Sequence, residues 1–270
     1  MSLVSTEWLD KNFDKVKIID CSWHLPNENR NGQKEYEEEH IPNAIFFDLD
    51  KNSEQNTDLP HMLPNKNFWE EKISEMGISN EEQIIIYDNS DVISSCRCWY
   101  NFIFFGHDPK LVSVLNGGFE KWKKENRKLT NLINKNKHSN YKTTTNEKMV
   151  KNIEQINENI LNDKFHLIDA RSKERFDGKV PDPRKNVRSG SIPNSICLPY
   201  KKVVQEDKTF KDKVELNLIF KSLIKDSSKP IVFSCGSGVT ACVLALAYSL
   251  VNTKYLPTIY DGSWAEFGKI

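Results

Sequence analysis

The chain repeats itself, and the repeat limits its fold more than any other feature of the sequence. "KIIDCSW" at 17–23 resembles "HLIDARS" at 166–172, which sets Asp20 against Asp169. "HIPNA" at 40–44 matches "SIPNS" at 191–195, and "QIIIYDNSDV" at 83–92 matches "PIVFSCGSGV" at 230–239, so that Asp88 stands opposite Cys235. "NGGFEKW" at 116–122 matches "DGSWAEF" at 261–267. The four offsets are 149, 151, 147 and 145 residues, a drift no larger than a loop, and the matches keep their order. Two copies of one fold follow, rather than one large domain.

Each copy alternates strands with helices. Apolar, β-branched runs of strand length ("KIID", "QIIIY", "LVSVL", then "FHLID", "PIVFS", "PTIY") are separated by helical patterns such as "RCWYNFIFF" and "TACVLALAYSL". That alternation predicts an α/β fold, a parallel sheet with helices on both faces, in each copy. Domains are expected at 1–135 and 151–270, with the polar stretch 136–150 as linker.

The formal net charge is zero, with 38 Lys+Arg against 38 Asp+Glu, which argues against a nucleic-acid partner. No apolar run reaches the roughly 18 residues of a membrane span, and the start "MSLVSTEWLDKN" lacks the pattern of a secretory signal. A cytoplasmic location is therefore expected. The six cysteines (21, 96, 98, 197, 235, 242) include no C-x-x-C pair, so no metal site is expected. Five read as small buried hydrophobes. Cys235 does not.

Cys235 lies in "SCGSGVTA", between the apolar runs "PIVF" and "CVLALAYSLV". Residues 236–241 fit G-x-G-x-x-A, a dinucleotide turn. That turn belongs after the first strand of its fold, and here only "PTIY" and "WAEF" follow. No nucleotide or other cofactor is expected. The other reading makes the thiol the working group. A thiol at the C-terminal end of a parallel strand sits where such folds bind ligands. The N–H groups of Gly236, Ser237, Gly238, Val239 and Thr240 then open a helix, and with its dipole they favour a sulfur anion. Gly236 and Gly238 let the backbone curl around the sulfur. The plain alternative is a structural cysteine beside a glycine turn.

"CGSGVTA", "HIPNA", "FFDLD" and "YDGSWAEF" together closely resemble the two-domain rhodanese-like sulfurtransferases, within them the branch that uses 3-mercaptopyruvate, from "LVSTEWL" to "DGSWAEF". The resemblance implies tandem rhodanese-like domains, the first non-catalytic with Asp88 in place of the cysteine. It implies sulfur transfer from 3-mercaptopyruvate through a Cys235 persulfide, held by the loop 236–240, to thioredoxin, a small thiol or cyanide, with release of pyruvate. It further implies that Arg175 and Arg184 of "ERFDGKVPDPR", a segment expected to be loop, bind the donor's carboxylate and keto oxygens. Planar guanidinium forks suit that task. Asp50, His61 and Ser237 match the family's proton-handling group, and Arg97 and Arg171 also match family positions but are expected to anchor the fold through carboxylates. The plain readings are surface ion pairs with Glu174, Asp177 or Asp182 for the two arginines, a turn residue for Asp50 and a packed histidine for His61.

Rhodanese-like phosphatases need a longer loop ending in arginine, yet no Arg or Lys lies between 236 and 253. Thiosulfate sulfurtransferases carry basic residues directly after the cysteine, where Gly236 and Ser237 are neutral. Placing Arg-Lys there is expected to favour the dianionic donor. A non-catalytic persulfide carrier is the remaining alternative, and it has no need of a carboxylate clamp.

Overall fold

The computed structural model describes residues 2–270. The chain divides into two compact units. The first comprises the chain up to Gln55, Leu63–Asn146 and Glu206–Thr209, and the second comprises Asn56–Met62, Glu147–Gln205 and Phe210–Ile270. Each unit thus includes one short segment from the other half of the chain.

The first unit has strands β1 (Leu3–Val4), β2 (Lys17–Asp20), β3 (Ala44–Phe46), β4 (Ile84–Tyr87) and β5 (Val112–Leu115). Its helices are α1 (Thr6–Asn12), α2 (Gly32–Glu38), α3 (Lys66–Glu75), α4 (Ser95–Phe104) and α5 (Gly118–Lys124). The second unit has β6 (Val150–Lys151), β7 (His166–Asp169), β8 (Ile196–Cys197), β9 (Ile231–Ser234) and β10 (Ile259–Tyr260). Its helices are α6 (Ile153–Asn162), α7 (Lys173–Phe176), α8 (Lys213–Leu223), α9 (Val239–Val251) and α10 (Ser263–Phe267).

The two sheets share one topology. The orders are β1-β5-β4-β2-β3 and β6-β10-β9-β7-β8, and all pairings are parallel. Asp20 pairs with Tyr87 in one and Asp169 with Ser234 in the other, so the register is shared as well. The six strands expected from the sequence all form. The four it missed, β1, β3, β6 and β8, are edge strands of two or three residues.

Helices cover both faces of the central strands, which explains their unbroken apolar runs: Ile84–Tyr87 and Ile231–Ser234 are buried throughout. The first core gathers Ile18, Ile85, Tyr87, Leu115, Phe119 and Trp122, and the second Ile156, Leu167, Val232, Tyr260 and Trp264. α4 is buried along its whole length and α9 from Val239 to Ala247 apart from Thr240, so neither shows a polar face. Residues 136–146 pack against the first unit. Tyr141 is fully buried there, Ser139 N–H bonds Ser74 O (2.9 Å) and Thr144 N–H bonds Phe105 O (3.1 Å).

Among the described residues no helix is long and apolar enough to cross a membrane, and no cluster of His, Cys, Asp or Glu could hold a metal ion.

Candidate functional site

Cys235 follows the last residue of β9, and four residues later α9 begins. Its thiol is buried. Gly238, at φ 74°, makes the left-handed turn into the helix, a conformation that glycine adopts without strain. The loop is pinned from α10. Trp264 N–H bonds Cys235 O at 3.0 Å and Ala265 N–H bonds Gly236 O at 2.9 Å. Ser263 Oγ accepts the N–H groups of both Cys235 (3.1 Å) and Gly238 (3.2 Å), and donates to Tyr260 O (2.8 Å). That hydroxyl has used its one proton and both lone pairs.

The expected row of unpaired donors from 236 to 240 is therefore corrected at Gly238, whose N–H is spent on Ser263. The N–H groups of Gly236, Ser237, Val239 and Thr240 donate to no protein acceptor among the described residues. They lie at the start of α9, where a helix leaves such groups unpaired, and they form the ready-made anion site at its positive end.

Arg175 and Arg184 converge on this loop. A Cβ added to Gly236 would lie 3.2 and 3.4 Å from the Nη2 and Nη1 atoms of Arg184, and 3.5 Å from Nη2 of Arg175. One carboxylate holds both cations: Arg175 Nη2 donates to Asp182 Oδ2 (2.8 Å) and Arg184 Nη1 to Asp182 Oδ1 (3.2 Å). Burial pushes the Asp182 carboxyl up, but the hydrogen bonds from Arg175 and from the Arg184 backbone outweigh it and hold the group below the usual carboxylate range. The Asp182 side chain is 1% exposed against 28% and 29% for those of the arginines, so the carboxylate is the hidden anchor of the two partly exposed forks. Two cations against one anion leave one positive charge beside Gly236. The buried Arg175 Nε has no hydrogen-bond partner among the described residues.

The ion pair with Asp182 and a binding role are thus not alternatives, since the pair is what aims the forks. The segment is also less loop-like than expected. Arg175 stands on the one-turn helix α7, capped by Ser172, whose hydroxyl accepts the Arg175 N–H.

His61 belongs to the second unit, in the segment Asn56–Met62, and is buried. Its Nδ1 lies 3.0 Å from Ser237 Oγ, also buried. Asp50 lies in the first unit, exposed, where its carboxylate accepts the Trp23 indole N–H at 3.0 Å. Arg171 anchors the fold as expected: Nε and Nη2 grip Asp169 (2.9 and 2.7 Å), and the guanidinium stacks over Trp264 at 4.5 Å. Arg97, fully buried, lies over the Tyr100 ring at 5.7 Å.

In the first unit the matching loop is filled from within. Asp88 Oδ1 accepts from Ser90 N–H (2.9 Å) and Ser90 Oγ (2.7 Å), and Oδ2 accepts Ser95 N–H (3.0 Å). The carboxylate thus occupies the donor-rich mouth of α4. One backbone bond is common to both loops, for Phe119 N–H bonds Asp88 O at 2.9 Å just as Trp264 N–H bonds Cys235 O at 3.0 Å, but the left-handed turn falls at Ile93 in one and at Gly238 in the other.

Two residues that shape the site are not evident from the sequence. There Asp182 is one of three carboxylates that offer the arginines a surface ion pair. Ser263 was not singled out, although the repeat sets it opposite Gly118. Both residues are left-handed, at φ 50° and 57°. A serine where the twin copy has glycine was the available signal.

Two α/β domains of identical topology, one with a cysteine at the mouth of its central strand and one with a carboxylate there, define a tandem sulfur-handling protein rather than a nucleotide binder. A rhodanese-like domain profile matches residues 5–125 and again 152–269, and the chain belongs to the rhodanese-like family, among its sulfurtransferases. The thiosulfate/3-mercaptopyruvate sulfurtransferase 1, mitochondrial, of Arabidopsis thaliana is 37% identical over 98% of this chain and 75% of its own. The 3-mercaptopyruvate sulfurtransferase of Mus musculus is 35% identical over 98% of this chain and 91% of its own. Among solved structures, SseA of Escherichia coli, a rhodanese-fold 3-mercaptopyruvate sulfotransferase, superposes with a TM-score of 0.88 at 31% identity, covering 98% and 99% of the two chains.

Proposed function

We propose that the chain transfers sulfur from 3-mercaptopyruvate through a persulfide on Cys235, with the second domain catalytic and the first not. The observation that carries the reading is the pair of guanidinium groups that Asp182 aims at Gly236, one residue from the thiol. A sulfane carrier has no use for a carboxylate clamp, and a 2-oxo acid donor does.

The Cys235 thiolate attacks the donor's sulfur. The new S–S bond forms as the S–C3 bond breaks, and the electron pair passes to C3 as pyruvate enolate. Arg175 and Arg184 hold the carboxylate and keto oxygens, and they stabilise the charge that gathers on the keto oxygen. The donor's thiol proton ends on C3, handed through Ser237 Oγ and His61. The N–H groups of Gly236, Ser237, Val239 and Thr240 then hold the persulfide, and Gly238 supplies the turn. An acceptor thiol or cyanide takes the outer sulfur, and no organic cofactor is needed.

The test is pyruvate release from 3-mercaptopyruvate with a reduced thiol, run beside thiosulfate with cyanide. Intact-mass and peptide mapping of the loaded protein should place one added sulfur on Cys235. Added sulfur chiefly on Cys96 or Cys98, or faster turnover of thiosulfate, overturns the assignment.

A further inference from the structure

Beside the loop lies a cavity of about 490 Å³ walled by Asp58, Leu59, Pro60, Arg184, Lys185, Val187, Ala265 and Lys269, among others. Three of its walls connect directly to the cysteine loop. Ala265 N–H bonds Gly236 O at 2.9 Å, and the Arg184 guanidinium faces Gly236. Pro60 precedes His61, which meets Ser237 at 3.0 Å. Neither Cys235 nor Arg175 lines the cavity, so it is not the donor clamp.

Its chemistry is cationic over an apolar floor. Lys185 is exposed at the rim, and Lys269 lies 3.4 Å from Asp58, itself 90% exposed. Arg184 shares Asp182 with Arg175, and the two lysines against Asp58 add one further positive charge. Leu59, Pro60, Val187 and Ala265 supply apolar surface. The frame is fixed by backbone pairing, Val187 bridging Lys269 and Ile270 N–H bonding Asn186 O at 2.9 Å.

The geometry points to this cavity as the acceptor subsite, taking small thiols that carry carboxylates. The inference rests on the sulfur-transfer reading above. Once pyruvate has left, the acceptor needs its own anchor, because the donor clamp was shaped for a three-carbon acid. Lys185 and Lys269 hold the acceptor's carboxylate, and its thiolate passes Arg184 to the persulfide. The thiolate attacks the outer sulfur, a new S–S bond forms, and the bond to Cys235 breaks. The electron pair returns to Cys235 as thiolate, and the acceptor leaves as its hydropersulfide.

The experiment follows the second half-reaction alone. Protein loaded with sulfane sulfur by 3-mercaptopyruvate, or by inorganic polysulfide, is freed of donor and mixed with reduced glutathione (anionic) or 2-mercaptoethanol (neutral). Loss of the added sulfur is then timed by intact mass. In wild type the glutathione rate falls with salt and the 2-mercaptoethanol rate does not. Lys185→Gln with Lys269→Gln slows glutathione about three- to tenfold, the scale of two partly exposed charge contacts, and removes its salt dependence. Equal slowing of both thiols, or of neither, overturns the subsite. Failure of 3-mercaptopyruvate to load Cys235 overturns instead the donor assignment, and loading by polysulfide keeps the two outcomes separate.

Discussion

Lys208 follows His61 by 147 residues, the interval that separates Asp88 from Cys235 and Ser90 from Ser237, and each carries the same left-handed turn, at φ 62° and 61°. His61 meets Ser237 in the second unit, and in the first Lys208 Nζ donates to Ser90 O (3.3 Å) and pairs with Asp91 (3.0 Å). One position in the repeat thus reaches the loop after the central strand in both copies. In one it brings a histidine to a cysteine loop, and in the other a lysine to a loop already closed around Asp88.

The pair separates a chemical role from a structural one. His61→Ala should lower kcat while leaving persulfide formation on Cys235 detectable and the melting temperature nearly unchanged. Lys208→Ala should do the reverse, lowering Tm while kcat holds. Paired turnover and thermal-denaturation measurements decide it. Equal effects on kcat in the two variants, or a wild-type rate and pH profile in His61→Ala, remove the histidine from proton transfer.

The donor clamp is tested through its buried anchor as well as its forks. Arg175→Ala or Arg184→Ala removes charged hydrogen bonds worth about 1.5–3 kcal/mol, so kcat/KM for 3-mercaptopyruvate should fall on the order of tenfold or more. Asp182→Asn should lower it as well, although it adds net positive charge, because both guanidinium groups lose the oxygens that orient them. A rise in donor affinity in Asp182→Asn would mean that bulk charge, and not aim, governs binding.

Much of this was legible in the sequence, and the remainder has physical reasons. The central strands announced themselves because both faces are covered, which forces runs such as Ile84-Ile85-Ile86. Strands β3 and β8 did not, since two or three residues paired on a single side need no periodic pattern. The repeat located Cys235 against Asp88. It did not reveal that Ser263 takes up the Gly238 N–H, or that Asp182 holds two arginines at once. Those are contacts between residues distant in sequence, or choices among several nearby carboxylates, and only the folded backbone settles them.

Buried carboxyls predict a pH effect on stability. Burial raises Asp169 although Arg171 grips it, and its counterpart Asp20 bonds Ser22 and Tyr87, with Asp88 close by. Burial pushes the Asp20 carboxyl up to about 7 against those hydrogen bonds. The folded state therefore keeps a proton there that the unfolded chain loses near pH 4. The associated stability is fully present below pH 4 and is lost as pH rises to about 7, on the order of a few kcal/mol. Asp20→Asn should flatten the stability of the first unit across that window, as followed by urea denaturation. A variant with the wild-type slope would assign the pH dependence to other groups.

Ser263→Ala orphans the buried N–H groups of Cys235 and Gly238 at once, and each unsatisfied group costs about 1–3 kcal/mol. Both Tm and kcat should fall. Ser263→Gly recreates the residue of the first copy and removes the strain of φ 50°, so it should recover part of the stability without the turnover. Recovery of both would make Ser263 a packing residue with no part in shaping the cysteine loop.

Gly236 gives the most direct test of what selects the donor. Its neighbours make the simple charge argument for Gly236-Ser237→Arg-Lys incomplete, because a side chain at 236 points into Arg184 and Arg175 within 3.5 Å. An arginine there meets two like charges before it meets any donor, and at that separation repulsion opposes the clamp's geometry. Gly236→Ala is gentler, since its methyl contacts only the ends of flexible side chains and needs no left-handed backbone. It should displace the Arg184 fork by a few tenths of an ångström. Stability should barely change, and kcat/KM for 3-mercaptopyruvate should fall more than that for thiosulfate, which has no carboxylate to align. In Gly236→Arg both donors should fall. Measuring the two kcat/KM values in each variant separates the cases: a rise in thiosulfate use in Gly236→Arg would show that added charge near the sulfur outweighs the aim of Arg175 and Arg184.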